Sequence, residues 1–67
     1  MNKLAERIKE LRLEKGLSQA ELAKALSVTQ TALGKWELGQ RSPNVDMIIN
    51  ICNYFKVSSD YLIGLED

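Results

Sequence analysis

Apolar residues fall at helical spacing in several short runs, and residues that cap or break helices separate the runs. Leu4, Ile8 and Leu11 recur three and four positions apart, the stripe of a helix that starts at Asn2 or Lys3 and ends near Glu14. Glu6, Glu10 and Glu14, set among Arg7, Lys9 and Lys15, form its solvated face, with local pairs worth about 0.2–0.5 kcal/mol each. Gly16 stops the helix, since glycine takes positive φ without a Cβ penalty. Ser18-Gln19-Ala20-Glu21 is a capping box flanked by Leu17 and Leu22, which pack as a hydrophobic staple. A helix over 19–26 follows. Thr29 is the next cap, with Val28 and Leu33 in the staple positions, and it opens a helix over 30–37. Leu22, Leu26, Val28, Leu33 and Trp36 then face one another inside the angle between these two helices, and the small Ala23 lets the axes approach.

Beyond Gly39, Ser42 reads as a cap and Pro43 as the first residue of a fourth helix over 43–55, because proline suits a position with no amide to donate. Its buried stripe is Val45, Ile48, Ile51, Cys52 and Phe55. Val57 and Ser58 repeat the staple and cap, opening a short helix over 59–63 that Gly64 closes. Leu65-Glu66-Asp67 reads as a frayed tail. The pattern predicts an all-α, five-helix domain spanning residues 1–67.

Composition narrows what such a domain can do. With 67 residues, 45% of them hydrophobic, and one proline, the chain suits one helical globule near the lower size limit for unaided folding. No apolar run approaches the 18 or so residues of a membrane span, and no signal-peptide pattern opens the chain, so a soluble, unexported protein is expected. Cys52 is the single cysteine and there is no histidine. That removes an internal disulfide, a credible metal site and the commonest general base, so neither catalysis nor a cofactor is expected. Net charge is zero but unevenly spread: residues 1–43 carry +3 and residues 44–67 carry −3. The N-terminal half can therefore face phosphate while the acidic end points away.

The stretch from Leu17 to Trp36, headed by Gln19 and closed by Trp36-Glu37-Leu38-Gly39, resembles the helix-turn-helix of phage repressor and Cro-like DNA-binding proteins. The resemblance runs from about Leu4 to Gly64. It implies a lambda-repressor-like domain whose second motif helix enters the major groove. Leu33 and Trp36 point inward, which turns Gln30, Thr31, Gly34 and Lys35 outward. By family position Gln30, Thr31 and Lys35 match base-contacting sites: Gln30 for adenine, Lys35 for guanine, and the Thr31 methyl for thymine. Gln19, Thr29, Gln40 and Arg41 are the implied phosphate contacts, Gln19 together with its helix N-terminus. Arg12 and Glu37 are implied as a partly buried ion pair that orients the second motif helix.

Two positions depart from the family pattern. Ser27 stands where many members place glycine, at a cost of about 1 kcal/mol if it is left-handed. Gly34 stands inside a helix where serine is common, which costs about 0.5–1 kcal/mol relative to alanine. Its missing side chain either admits a close backbone approach to DNA or is a neutral change.

Members of this family usually bind near-palindromic operators as two-fold dimers, with half-sites about 10–10.5 bp apart. Tyr54, Tyr61, Ile63 and Leu65 are apolar or aromatic beyond the needs of the core and are the expected dimer surface. The expected function is a bacterial or phage-encoded cytoplasmic repressor with double-stranded DNA as partner and no small-molecule ligand. Larger members continue into a second domain, so the chain reads either as a small complete regulator or as a fragment. An antitoxin or adaptor working through the C-terminal half is the alternative, and an unspecific architectural DNA binder is a third.

Overall fold

A computed structural model describes residues 3–66. The helices in order are α1 (Leu4–Glu14), α2 (Gln19–Leu26), α3 (Gln30–Leu38), α4 (Val45–Phe55) and α5 (Ser59–Ile63). Among the described residues there is no strand. Helix α1 packs on α3 and α5, α2 on α3, and α4 on α5.

Each helix contributes one fully buried branched aliphatic: Ile8, Leu22, Leu33, Ile51 and Leu62. Burying one such side chain is worth about 1.5–3 kcal/mol, so the core holds all five short helices where no single one would persist alone. Leu4, Leu11, Ala23, Leu26, Trp36 and Cys52 complete it. Burial pushes the Cys52 thiol above its ordinary pKa, so it stays a neutral thiol. Trp36 is core, as its inward spacing predicts.

Helix starts follow the cap chemistry closely. Ser18 Oγ accepts from the Glu21 amide at 3.0 Å while the Ser18 amide donates to Glu21 Oε1 at 2.8 Å. Thr29 and Ser58 cap α3 and α5 with the hydroxyl half of this arrangement alone, accepting from the Ala32 and Tyr61 amides. Helix α1 begins at Leu4, with Lys3 in the cap position and no side-chain cap bond; Asn2 lies outside the described residues.

Four further sequence expectations are corrected. Helix α4 starts at Val45 rather than Pro43, because Asn44 is the cap: its Oδ1 accepts from the Met47 amide at 2.8 Å. Pro43 is buried just ahead of that cap. As the first helical residue Val45 then projects to solvent, 72% exposed, instead of joining the buried stripe. Third, Arg7 is not on the solvated face. It is buried, its Nη1 donates to Tyr61 O at 2.9 Å and Glu66 O at 3.1 Å, and its guanidinium lies 4.0 Å from the centre of the Tyr61 ring. Helix α3 also runs one residue further than predicted, to Leu38.

Candidate nucleic-acid interface

The angle between α2 and α3 is set by three residues. Ser27 ends α2 in the left-handed conformation, φ 60° and ψ 40°. Its amide donates to Lys24 O and the next, that of Val28, donates to Ala23 O at 2.9 Å, the paired bonds of a Schellman ending. Thr29 then caps α3, its Oγ1 accepting from the Ala32 amide at 3.1 Å. That bond uses an acceptor of the hydroxyl and leaves its hydrogen able to donate.

With Leu33 and Trp36 buried, α3 turns the other side outward. Gln30, Thr31 and Lys35 are exposed, and Gly34 is half-buried between them. A Cβ added at Gly34 would lie 3.8 Å from Gln19 Oε1, an ordinary contact. The glycine is therefore not forced by packing within the domain. Gln40 and Arg41 are exposed in the loop after α3, with both amides turned back to Lys35 O.

Behind this face sits the expected ion pair. Arg12 Nε donates to Glu37 Oε2 at 2.7 Å and Arg12 Nη2 to Glu37 Oε1 at 3.0 Å, a two-pronged geometry. Arg12 Nη1 donates to Leu17 O at 2.8 Å, tying α1 to the entry of α2. Those hydrogen bonds to Glu37 hold the Arg12 guanidinium above its ordinary pKa, against the opposing effect of burial. Gln19 joins the pair, its Nε2 donating to Glu37 Oε1 at 3.1 Å. Sequence reasoning missed this link, because Gln19 and Glu37 lie far apart in the chain and no local pattern brings them together.

The residues expected at a dimer surface do not share one exposed patch. Tyr54 is half-buried, edge-on to Phe55, with Lys15 Nζ 5.1 Å from its ring centre. Tyr61 lies under Arg7, and Ile63 packs against the core. Leu65 is exposed, at 74%. Among the described residues no cluster of histidine, cysteine, aspartate or glutamate could hold a metal ion, and no helix is long and apolar enough to cross a membrane.

A helix-turn-helix family model matches residues 8–62, most of the chain. The chain belongs to the helix-turn-helix family. Among curated members it is 39% identical over 62 residues to the HTH-type transcriptional activator BcrR of Enterococcus faecalis, covering 92% of this chain and 30% of that protein. It is 34% identical over 64 residues to the HTH-type transcriptional regulator ImmR of Bacillus subtilis, covering 96% of this chain and 50% of that one. The chain thus spans half the length or less of these helix-turn-helix relatives. Among solved structures, a transcriptional regulator from Listeria innocua superposes with a TM-score of 0.91 at 27% identity, covering all of this chain and 63% of that one. The P22 c2 repressor, solved in complex with the synthetic operator 9T, superposes with a TM-score of 0.83 at 30% identity, covering 90% of this chain and 91% of that one. The lambda-repressor-like fold expected from the resemblance is the fold observed.

Proposed function

We propose that this chain is a sequence-specific, double-stranded DNA-binding transcriptional regulator that lays α3 in the major groove. The observation that carries the reading is the outward row Gln30, Thr31 and Lys35 on α3, backed by the buried Leu33 and Trp36. An α-helix fits that groove, and these side-chain types match the edges of adenine, thymine and guanine. Gln19, Thr29, Gln40 and Arg41 flank the row as backbone contacts, and Gly34 lets the helix approach closely. The P22 c2 repressor, of the same fold, was solved on an operator, which supports the same use here.

In this reading the regulator is a repressor of the bacterial cytoplasm, needs no cofactor or small-molecule ligand, and performs no catalysis. It binds a near-palindromic operator as a homodimer, and of the C-terminal group Tyr54, Tyr61, Ile63 and Leu65 the exposed Leu65 is the one placed to meet a second copy. Activation is the second reading, favoured by one observation: BcrR, 30% of which is matched by 92% of this chain, is named an activator.

The test is affinity over a panel of single-base operator variants at two salt concentrations. Lys35→Ala is expected to cost about 1–3 kcal/mol on the preferred site and to relax preference at one base pair in each half-site. Arg41→Ala is expected to weaken every variant alike and to make the salt dependence shallower by about one unit of slope. Equal weakening of all variants by Lys35→Ala would reduce it to a phosphate contact and remove α3 from the groove. Sedimentation of Leu65→Asp beside the unaltered chain tests the dimer, since Leu65 is the exposed member of that group.

A further inference from the structure

The Arg12–Glu37 pair has a third member whose consequence lies at the DNA surface. Glu37 is 4% exposed on its side chain, and its Oε1 accepts from both Arg12 Nη2 and Gln19 Nε2. An ionised carboxylate offers only acceptors, so it selects the nitrogen end of the Gln19 amide. Flipping that amide would set oxygen against oxygen. The amide lies beside Gly34, with Oε1 3.8 Å and Nε2 4.0 Å from where a Cβ on that glycine would stand. The carboxamide is thereby laid along α3 between Gly34 and Glu37, three residues apart on one face. Nε2 keeps one hydrogen beyond the one given to Glu37. At the start of α2 the Glu21 amide is taken by Ser18 Oγ and the Leu22 amide by Ser18 O. The amides of Gln19 and Ala20 remain, as the geometry of a helix N-terminus requires.

We infer that Glu37 is a positioning residue for the phosphate contact of α2: it holds Gln19 with an N–H available to a backbone phosphate. Arg12 cancels the charge that would otherwise repel that phosphate. A contact assembled from α1, α2 and α3 in this way fixes where the DNA backbone sits relative to the readout row on α3. The inference rests on the DNA-binding reading above.

The experiment uses the chain with Gln19→Ala, Glu37→Gln and the two combined, on the preferred duplex and on unrelated ones, with thermal unfolding followed in parallel. Gln19→Ala is expected to weaken binding to all duplexes alike, by roughly three- to tenfold. Glu37→Gln, whose amide no longer selects one end of Gln19, is expected to weaken binding comparably, and its penalty is expected to vanish once Gln19 is alanine. If Glu37→Gln weakens binding by the same factor with or without Gln19, or changes sequence preference, Glu37 acts on α3 as a whole and the inference falls. A second measurement needs no variant: the two Nε2 protons of Gln19, followed by nuclear magnetic resonance as DNA is added. One is expected to stay bonded to Glu37 while the other moves; two unmoved protons would overturn the inference even if Glu37→Gln fails to fold. Should the unaltered chain bind no duplex selected from random DNA, the DNA-binding reading itself fails and this inference with it. Should it bind while Gln19→Ala binds equally well, only this inference fails.

Discussion

The turn between α2 and α3 and the turn between α4 and α5 are built alike. Ser27 and Lys56 each end a helix left-handed, with φ 60° and 59°. Val28 donates to Ala23 O at 2.9 Å and Val57 to Cys52 O at 3.0 Å. Thr29 and Ser58 then cap the following helix. The outcomes differ. Helix α3 has nine residues and shows solvent a row of polar side chains, whereas α5 has five and is pinned beneath Arg7. The same three-residue turn therefore sets an angle between helices and no function. Function enters with what the second helix leaves outside, and with the sign of the charge around it, +3 for residues 1–43 against −3 for residues 44–67.

Each of these two regions is tied to α1 by one buried arginine, and the ties differ in kind. Arg12 holds a buried carboxylate, whereas Arg7 holds two carbonyls and an aromatic ring. Arg12→Ala leaves Glu37 buried without its counter-charge and is expected to cost about 3–5 kcal/mol. Arg7→Met keeps much of the packing and is expected to cost about 1–3 kcal/mol, the loss of hydrogen bonds to a charged donor. Urea denaturation of both variants measures this. A larger loss at Arg7 would mean that the C-terminal region, not the α2–α3 region, is the better anchored.

The two turns themselves give the next test. Ser27→Gly and Lys56→Gly each relieve a Cβ in left-handed backbone, offset by greater freedom of the unfolded chain, for a net gain up to about 1 kcal/mol. Matching gains in melting temperature are expected. Opposite signs would show that the likeness of the turns stops at their dihedral angles.

Smallest is the effect that distinguishes the caps. The third helical residue is Glu21 in α2 but Ala32 in α3 and Tyr61 in α5, so only the first of these three caps titrates. The Ser18 amide, then its side chain, holds Glu21 below the ordinary carboxylate value of 4.5. A carboxylate lowered on folding stabilises above its unfolded pKa, and that stabilisation is lost as pH falls through the folded value. The melting-temperature advantage over Glu21→Gln is therefore expected near pH 6 and expected to fade below about pH 4. An advantage unchanged at pH 3 would assign it to something other than the charge.

How legible these features were depended on how local their causes are. Helix α2 was predicted residue for residue because its capping box and staple lie within six neighbouring positions. The start of α4 was misplaced because Ser42 and Asn44, both good caps, flank Pro43, and the choice between them rests on burying the proline. Arg7 carried a readable signal that went unused: with Leu4, Ile8, Leu11 and Arg12 it falls on a single helical stripe, and all five are buried. At the candidate interface, the burial of Leu33 and Trp36 made the exposure of Gln30, Thr31 and Lys35 readable. The bond from Gln19 to Glu37 was not, since it exists only once three helices have met.

The contact between the two ends of the described chain has a mechanical consequence. The Lys3 amide donates to Ile63 O at 3.3 Å, and a Cβ on Gly64 would stand 3.1 Å from the Lys3 side chain. Lys3 and Gly64 therefore lie side by side at the start of α1. Tension applied between them would not shear the helices past one another with many bonds loaded together. It would peel α5 from α1, loading the bond between Lys3 and Ile63 before the one between Arg7 and Tyr61. The acidic end would come away while Arg12 still held Glu37 of α3.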